Sequence, residues 1–195
     1  VATPLNAYAC SVAAGYRVPT NMELVEDADL ILLGTVTARD SDDAGQQMVA
    51  IEPVEALKGA MPSAPIALPA MIATDAAARL SNPYELEEAH PQSLAGACVR
   101  YIFPRGSRVL FFLDREDGDW QVSGGPFSRW AEDVLTDDAP WLQAVRFYVA
   151  VAKLPEAERA AALAARREEL AAIDDDPVAQ LIAADIGRQI AGPNA

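Results

Sequence analysis

The chain has 195 residues, of which 51% are hydrophobic, and a formal net charge of −14. That length bounds it at one domain, or one domain with a helical appendage, and the apolar half is enough for a buried core. The acidic balance excludes a phosphate-backbone reader, and no apolar run reaches the roughly 20 residues a bilayer-spanning helix needs.

The first feature in chain order is Ala7-Tyr8-Ala9 ahead of Cys10. It fits the small-x-small pattern of a signal-peptidase site. The expected compartment is therefore periplasmic or secreted, with either Val1 or Cys10 as the mature start. The only other cysteine is Cys98, so the two are either buried thiols or one disulfide in an oxidising compartment.

Residues 11–27 read as a loop and then a short helical turn capped by Thr20 or Asn21. The longest apolar, β-favouring run follows, Ala28 to Arg39, and predicts the first long strand. Gly34 inside it marks a bulge or a sharp bend. Asp40 to Gly45 is a polar loop whose carboxylates fit a solvated hairpin tip. A second strand is expected over Gln47–Leu57, with Pro53 at an edge or bulge and Lys58-Gly59 ending it. A third is expected over Ala64–Ile72, interrupted by Pro65 and Pro69.

Thr74 to Gly96 is a long irregular insertion. It carries Glu85, Glu87 and Glu88 beside His90, the only histidine. One imidazole with three acids falls short of a metal-ligand set, so no metal and no cofactor are expected. Cys98–Phe103 is short and apolar, and Ser107–Asp114 reads as a buried fourth strand. Asp117-Gly118 signals a tight hairpin into a fifth strand that starts at Trp120. Phe127, Trp130 and Val134 are expected to close the bottom of a barrel.

From Asp137 the period changes to helical. Pro140, Pro155-Glu156 and Asp176-Pro177 each open a helix, and Gly192-Pro193 stops the last. Residues 138–195 hold 6 Lys/Arg against 9 Asp/Glu, while the rest holds 9 against 20, so the β-rich part is the acidic one. The reading is α+β: a five-stranded OB-like barrel over 1–136 and a three-helix segment over 137–195, packed on the barrel or forming a small subdomain.

Several stretches in order carry a resemblance: Cys10-Ser11, the run Ala28 to Val36, Val54-Glu55-Ala56-Leu57-Lys58-Gly59, Cys98, and Phe103 to Phe112. Together they resemble the netrin module and the inhibitory domain of tissue inhibitors of metalloproteinases, over about residues 10–130. The resemblance implies a Cys10–Cys98 disulfide. The family's second disulfide is missing at both ends, with Val12 and Ser123-Gly124-Gly125 in its places. Those inhibitors chelate the protease zinc through the α-amino group of an N-terminal cysteine. Here nine residues precede Cys10, so that mechanism would require processing to expose it.

The function expected from this reading is an exported, non-enzymatic module that binds a protein or peptide, not nucleic acid, as a monomer or weak dimer. Its candidate contacts are the arm at Cys10 and Ser11, the loop with Asp40, Asp42 and Asp43, and the insertion with Glu87 and His90. A hydrolase would have to use either a triad through His90, with Ser81, Ser93, Ser123 or Ser128 as nucleophile, or a carboxylate pair acting on a glycosidic bond. A third alternative is an assembly protein dimerising through its C-terminal helices.

Overall fold

The computed structural model describes residues 12–42 and 44–192. A short helix α1 (Asn21–Asp27) leads into strands β1 (Leu30–Ala38), β2 (Met48–Lys58), β3 (Ile66–Pro69), β4 (Met71–Ile72), β5 (Ile102–Phe103), β6 (Arg108–Glu116), β7 (Asp119–Val122) and β8 (Ala131–Asp133). Helices α2 (Pro140–Ala152), α3 (Glu156–Ala171) and α4 (Pro177–Ala191) follow.

Thr20 is the cap of α1. Its hydroxyl accepts the Glu23 N–H while the Glu23 carboxylate accepts the Thr20 N–H, a capping box that satisfies two orphan donors. At the other end of α1 the Lys58 ammonium donates to the carbonyls of Val25 and Glu26. The end of β2 is thereby fastened to the end of the helix, where a cation suits the helix dipole.

Strand β1 is apolar almost throughout, and Leu30, Ile31, Leu32, Leu33 and Val36 are fully buried. Such a run suits a strand covered on both faces. It pairs antiparallel with β2 on one side and β6 on the other. The sheet runs β3-β2-β1-β6-β7, and β8 continues along the same edge of β6 as β7. β3 and β7 approach each other across the remaining gap, so the five strands curl into a nearly closed OB-like barrel.

The β1–β2 register slips between Leu33 and Gly34, opposite Pro53. A Cβ built on Gly34 would sit 2.3 Å from Ile51 Cγ2 and 3.2 Å from the Glu52 carbonyl oxygen. The glycine is there because the strands close to backbone distance at the bend. Pro53 is tolerated because β3 pairs only with Met48–Ile51, which leaves that part of β2 with one free edge.

Two departures from the sequence expectation concern short strands. The expected third strand divides in two. After Pro69, the Ala70 N–H still donates to the Gln47 carbonyl, but Met71–Ile72 turns away and pairs in parallel with Ile102–Phe103. The stretch around Trp130 and Val134 does cover the barrel, but it does so as strand β8, paired to Val109–Phe111. Three residues containing Glu132 and Asp133 carry no β pattern that a sequence reading would find.

The three C-terminal helices share one apolar core with the barrel. Phe112 of β6 and Trp141 of α2 meet at 5.9 Å between ring centres, and Leu142, Val145 and Tyr148 of α2 are fully buried. Asp117 (φ 49°) and Gly118 (φ 95°) form the two-residue β6–β7 turn that their sequence announces.

We expect Gly34→Ala to cost about 2 kcal/mol by overpacking against Ile51, read as a lower denaturant midpoint. Thr20→Ala should cost about 1 kcal/mol through the lost cap in the same assay.

Candidate functional site

Polar chemistry in this fold gathers in three places, and only one of them is an open groove on the barrel itself. The first lies under the insertion of residues 73–100. Arg100 and Asp133 form an ion pair at 3.0 Å with both side chains 1% exposed. Arg100 also donates to the Ala131 carbonyl at 3.1 Å, and its guanidinium stacks 4.6 Å from the Phe103 ring centre. The Ser81 hydroxyl donates to Glu132 Oε2 at 2.6 Å and accepts the Asp133 N–H at 2.9 Å. Glu132 Oε1 accepts the His90 N–H at 2.9 Å. Arg129 donates to the Glu88 carbonyl and stacks on Trp141.

His90 is therefore inside the protein, 1% exposed, and not on an accessible acidic patch. Its Nδ1 accepts the Gln92 N–H at 3.2 Å. Burial, reinforced by the nearby Arg100 guanidinium, depresses its pKa to about 4, with Asp133 opposing the shift only in part. No serine hydroxyl among the described residues hydrogen-bonds the imidazole, and Ser81 is committed to Glu132 and the Asp133 backbone. This cluster pins the insertion to β8. Within it the His90 Nε2 is buried without a hydrogen-bond partner among the described residues.

The second place joins α1 to α4. Asp185 is fully buried and accepts the Tyr148 hydroxyl at 2.5 Å, Asn21 Nδ2 at 3.0 Å and Arg188 at 3.0 Å. Burial and that carboxylate hold the Tyr148 hydroxyl well above its ordinary pKa. A cavity of about 350 Å³ lies beside it, lined by Arg17, Glu87, Arg188 and Gln189 among others. Its charges are already paired: Arg17 with Glu23 at 2.6 Å, and Arg188 with Asp185 at 3.0 Å and Glu87 at 3.7 Å.

The third place is the unclosed seam of the barrel. A groove of about 730 Å³ runs along β3 and across to β7, within the size range of ligand sites. Arg39, Met48, Met61, Ile66, Arg115 and Trp120 are among its walls. No ladder pairs β3 with β7. The ladders they do make determine which backbone groups are left over. Ser123 N–H donates to the Phe112 carbonyl, which turns Gln121 and Asp119 toward β6 and the N–H and C=O of Trp120 and Val122 toward the seam. By the same alternation Ala67 of β3 faces the gap.

The expected contact residues fall in separate places. Asp40 and Asp42 lie on the β1–β2 loop after Arg39, outside the groove lining; Asp42 caps its own turn by accepting the Ala44 and Gln46 N–H groups. Glu87 belongs to the α1–α4 cavity and His90 to the buried cluster. Cys10, Ser11 and Asp43 lie outside the described residues, and with Cys10 the Cys10–Cys98 pairing. Cys98 itself is buried, with φ 63°.

Sequence reasoning missed Arg100, Glu132, Asp133 and Asp185 as a buried polar set. A signal was present in each case: a charge set inside an apolar run, as in Val99-Arg100-Tyr101-Ile102-Phe103, or on the apolar stripe of a helix, as Asp185 is. It also missed Arg115 and Trp120, which are cross-strand partners in the β6–β7 hairpin, and Arg39, which joins them only when the barrel curls. A comparison of the chain with family models and with curated proteins finds no match.

Arg100→Met should cost about 3–5 kcal/mol, because Asp133 is left buried and uncompensated, and Arg100→Met/Asp133→Leu should cost less than the sum of the single changes. A depressed histidine pKa means that the unfolded chain binds the proton first. Stability is then complete above pH 6.5 and is lost as pH falls toward 4, by about 3 kcal/mol from this group alone. His90→Gln should remove that part of the slope in urea titrations between pH 7 and 4.

Proposed function

We propose that the chain is an exported, non-enzymatic module of the netrin-like kind that binds a protein or peptide. The observation that carries the reading is the seam. It is the one place described above where an open groove, unpaired backbone and unpaired side-chain charge coincide. The groups with catalytic potential lie in the interior: Ser81, Glu132 and Asp133 bond to one another, and the buried His90 imidazole accepts the Gln92 N–H at Nδ1 while its Nε2 has no partner among the described residues.

The strand order supports the likeness to that family. Five strands in the order β1-β2-β3-β7-β6, back to β1, follow the OB path. In this reading Cys10 and Cys98 are joined, and the bond closes a loop long enough to stabilise the fold by about 4–5 kcal/mol in the chain-entropy view. The order of the motifs and the Ala7-Tyr8-Ala9 signal support the periplasm or the extracellular space as its compartment. Binding at the seam uses no cofactor.

Protein recovered from its native source, unfolded without reductant, should resist alkylation at both cysteines and react at both after reduction. Crosslinking of the same material before purification should give a discrete adduct with another envelope or extracellular protein. Two free thiols would overturn the compartment, and the absence of any adduct would overturn the binding role.

A further inference from the structure

We infer that the seam takes an extended peptide segment rich in carboxylates, added as a strand to the free edge of β7. The inference rests on the binding role proposed above and names its surface and the chemistry of its partner.

Backbone geometry selects the strand. A free strand edge is a template for another chain, and proteins blunt edges that must stay empty with proline or charge. The β3 side of the seam is blunted in that way, by Pro65 before the strand and by Pro69 at its end. β7 (Asp119–Val122) contains no proline, and it turns both the N–H and the C=O of Trp120 and Val122 outward. An added segment gains main-chain hydrogen bonds there, and alternate side chains fall into the groove.

Charge selects the partner. Arg39 and Arg115 line the groove, and neither joins an ion pair among the described residues, although acidic residues outnumber basic ones by 29 to 15 in the chain. Among the described residues, the only carboxylate in the lining is Asp119. Arg115 lies 4.7 Å above the Trp120 ring, which holds its guanidinium over the edge where the segment would lie. Asp40 and Asp42 follow Arg39 in the chain, and Glu116 and Asp117 follow Arg115, but none of the four is in the groove lining. Met61, 50% exposed, offers an adaptable apolar wall for the intervening side chains.

The test uses the full chain and three synthetic probes: a fluorescent eight-residue peptide alternating Glu and Val, its Lys/Val counterpart, and a Glu/Val peptide N-methylated at every second amide. The Glu/Val peptide should raise anisotropy and slow amide exchange at Trp120 and Val122. The Lys/Val and N-methylated probes should bind at least tenfold more weakly, as should the Glu/Val peptide to Arg39→Glu/Arg115→Glu. Equal binding of the Glu and Lys peptides, indifference to N-methylation, or unchanged exchange at Trp120 would overturn the inference. In the native host, photocrosslinkers placed singly at Met61 and at the exposed Tyr84, which is outside the groove lining, separate the two levels. An adduct from Tyr84 alone overturns the seam and leaves the binding role standing. No adduct from either position overturns both.

Discussion

A guanidinium and a carboxylate, both shut away from water, set the terms for the β-rich half of this protein. Arg100 and Asp133 are each too costly to bury alone. Arg100 belongs to the insertion, and Asp133 belongs to a strand only three residues long. Neither segment has much regular hydrogen bonding of its own. The pair, together with Ser81 and Glu132, supplies the partners that a longer sheet would otherwise provide. It holds β8 on β6 and the insertion on β8, so Trp130 is kept against Phe103 and Phe111 where the barrel would be open to water. The aromatic floor depends on a polar clamp.

This division explains which parts of the fold are legible in the amino-acid order. β1, β2 and β6 carry long apolar runs, and their tertiary roles agree with their local pattern. The Asp117-Gly118 turn, the Thr20 cap and the three proline-led helices are local devices, written within four residues of where they act. Gly34 is legible for the same reason, since a strand glycine implies close backbone approach. What escapes is decided by residues far apart in the chain. Met71–Ile72 looks like the tail of the preceding strand, and it leaves only because Ile102–Phe103 is there to receive it. Glu132 and Asp133 look like a solvated pair, and their burial follows from Arg100, more than thirty residues earlier.

The site shows the same limit more sharply. Asp40 and Asp42 could be placed on an exposed loop from composition alone, and they are exposed. His90 could not be placed, because an acidic neighbourhood in sequence says nothing about the guanidinium that arrives from Arg100. Arg115 and Trp120 face each other across the β6–β7 hairpin, but Arg39 lies at the end of β1. Its association with them is a property of barrel curvature and stagger, which set how nearly β7 returns to β3. A groove made by failing to close a sheet has no motif of its own.

The contact between Asn21 and Asp185 bears on the order of synthesis. α1 is the first helix of the described chain, and beside its nearer anchors at Lys58 and Leu86 it has two, the Asn21 amide on Asp185 and the Met22 N–H on Gln189, that lie more than 160 residues further on. Synthesis must reach α4 before these two anchors of α1 can form. Until α4 emerges, the nascent chain has its strands but lacks this latch between α1 and α4. Part of the packing of α1 therefore waits for the helices that follow the barrel, and loss of α4 would be felt at α1.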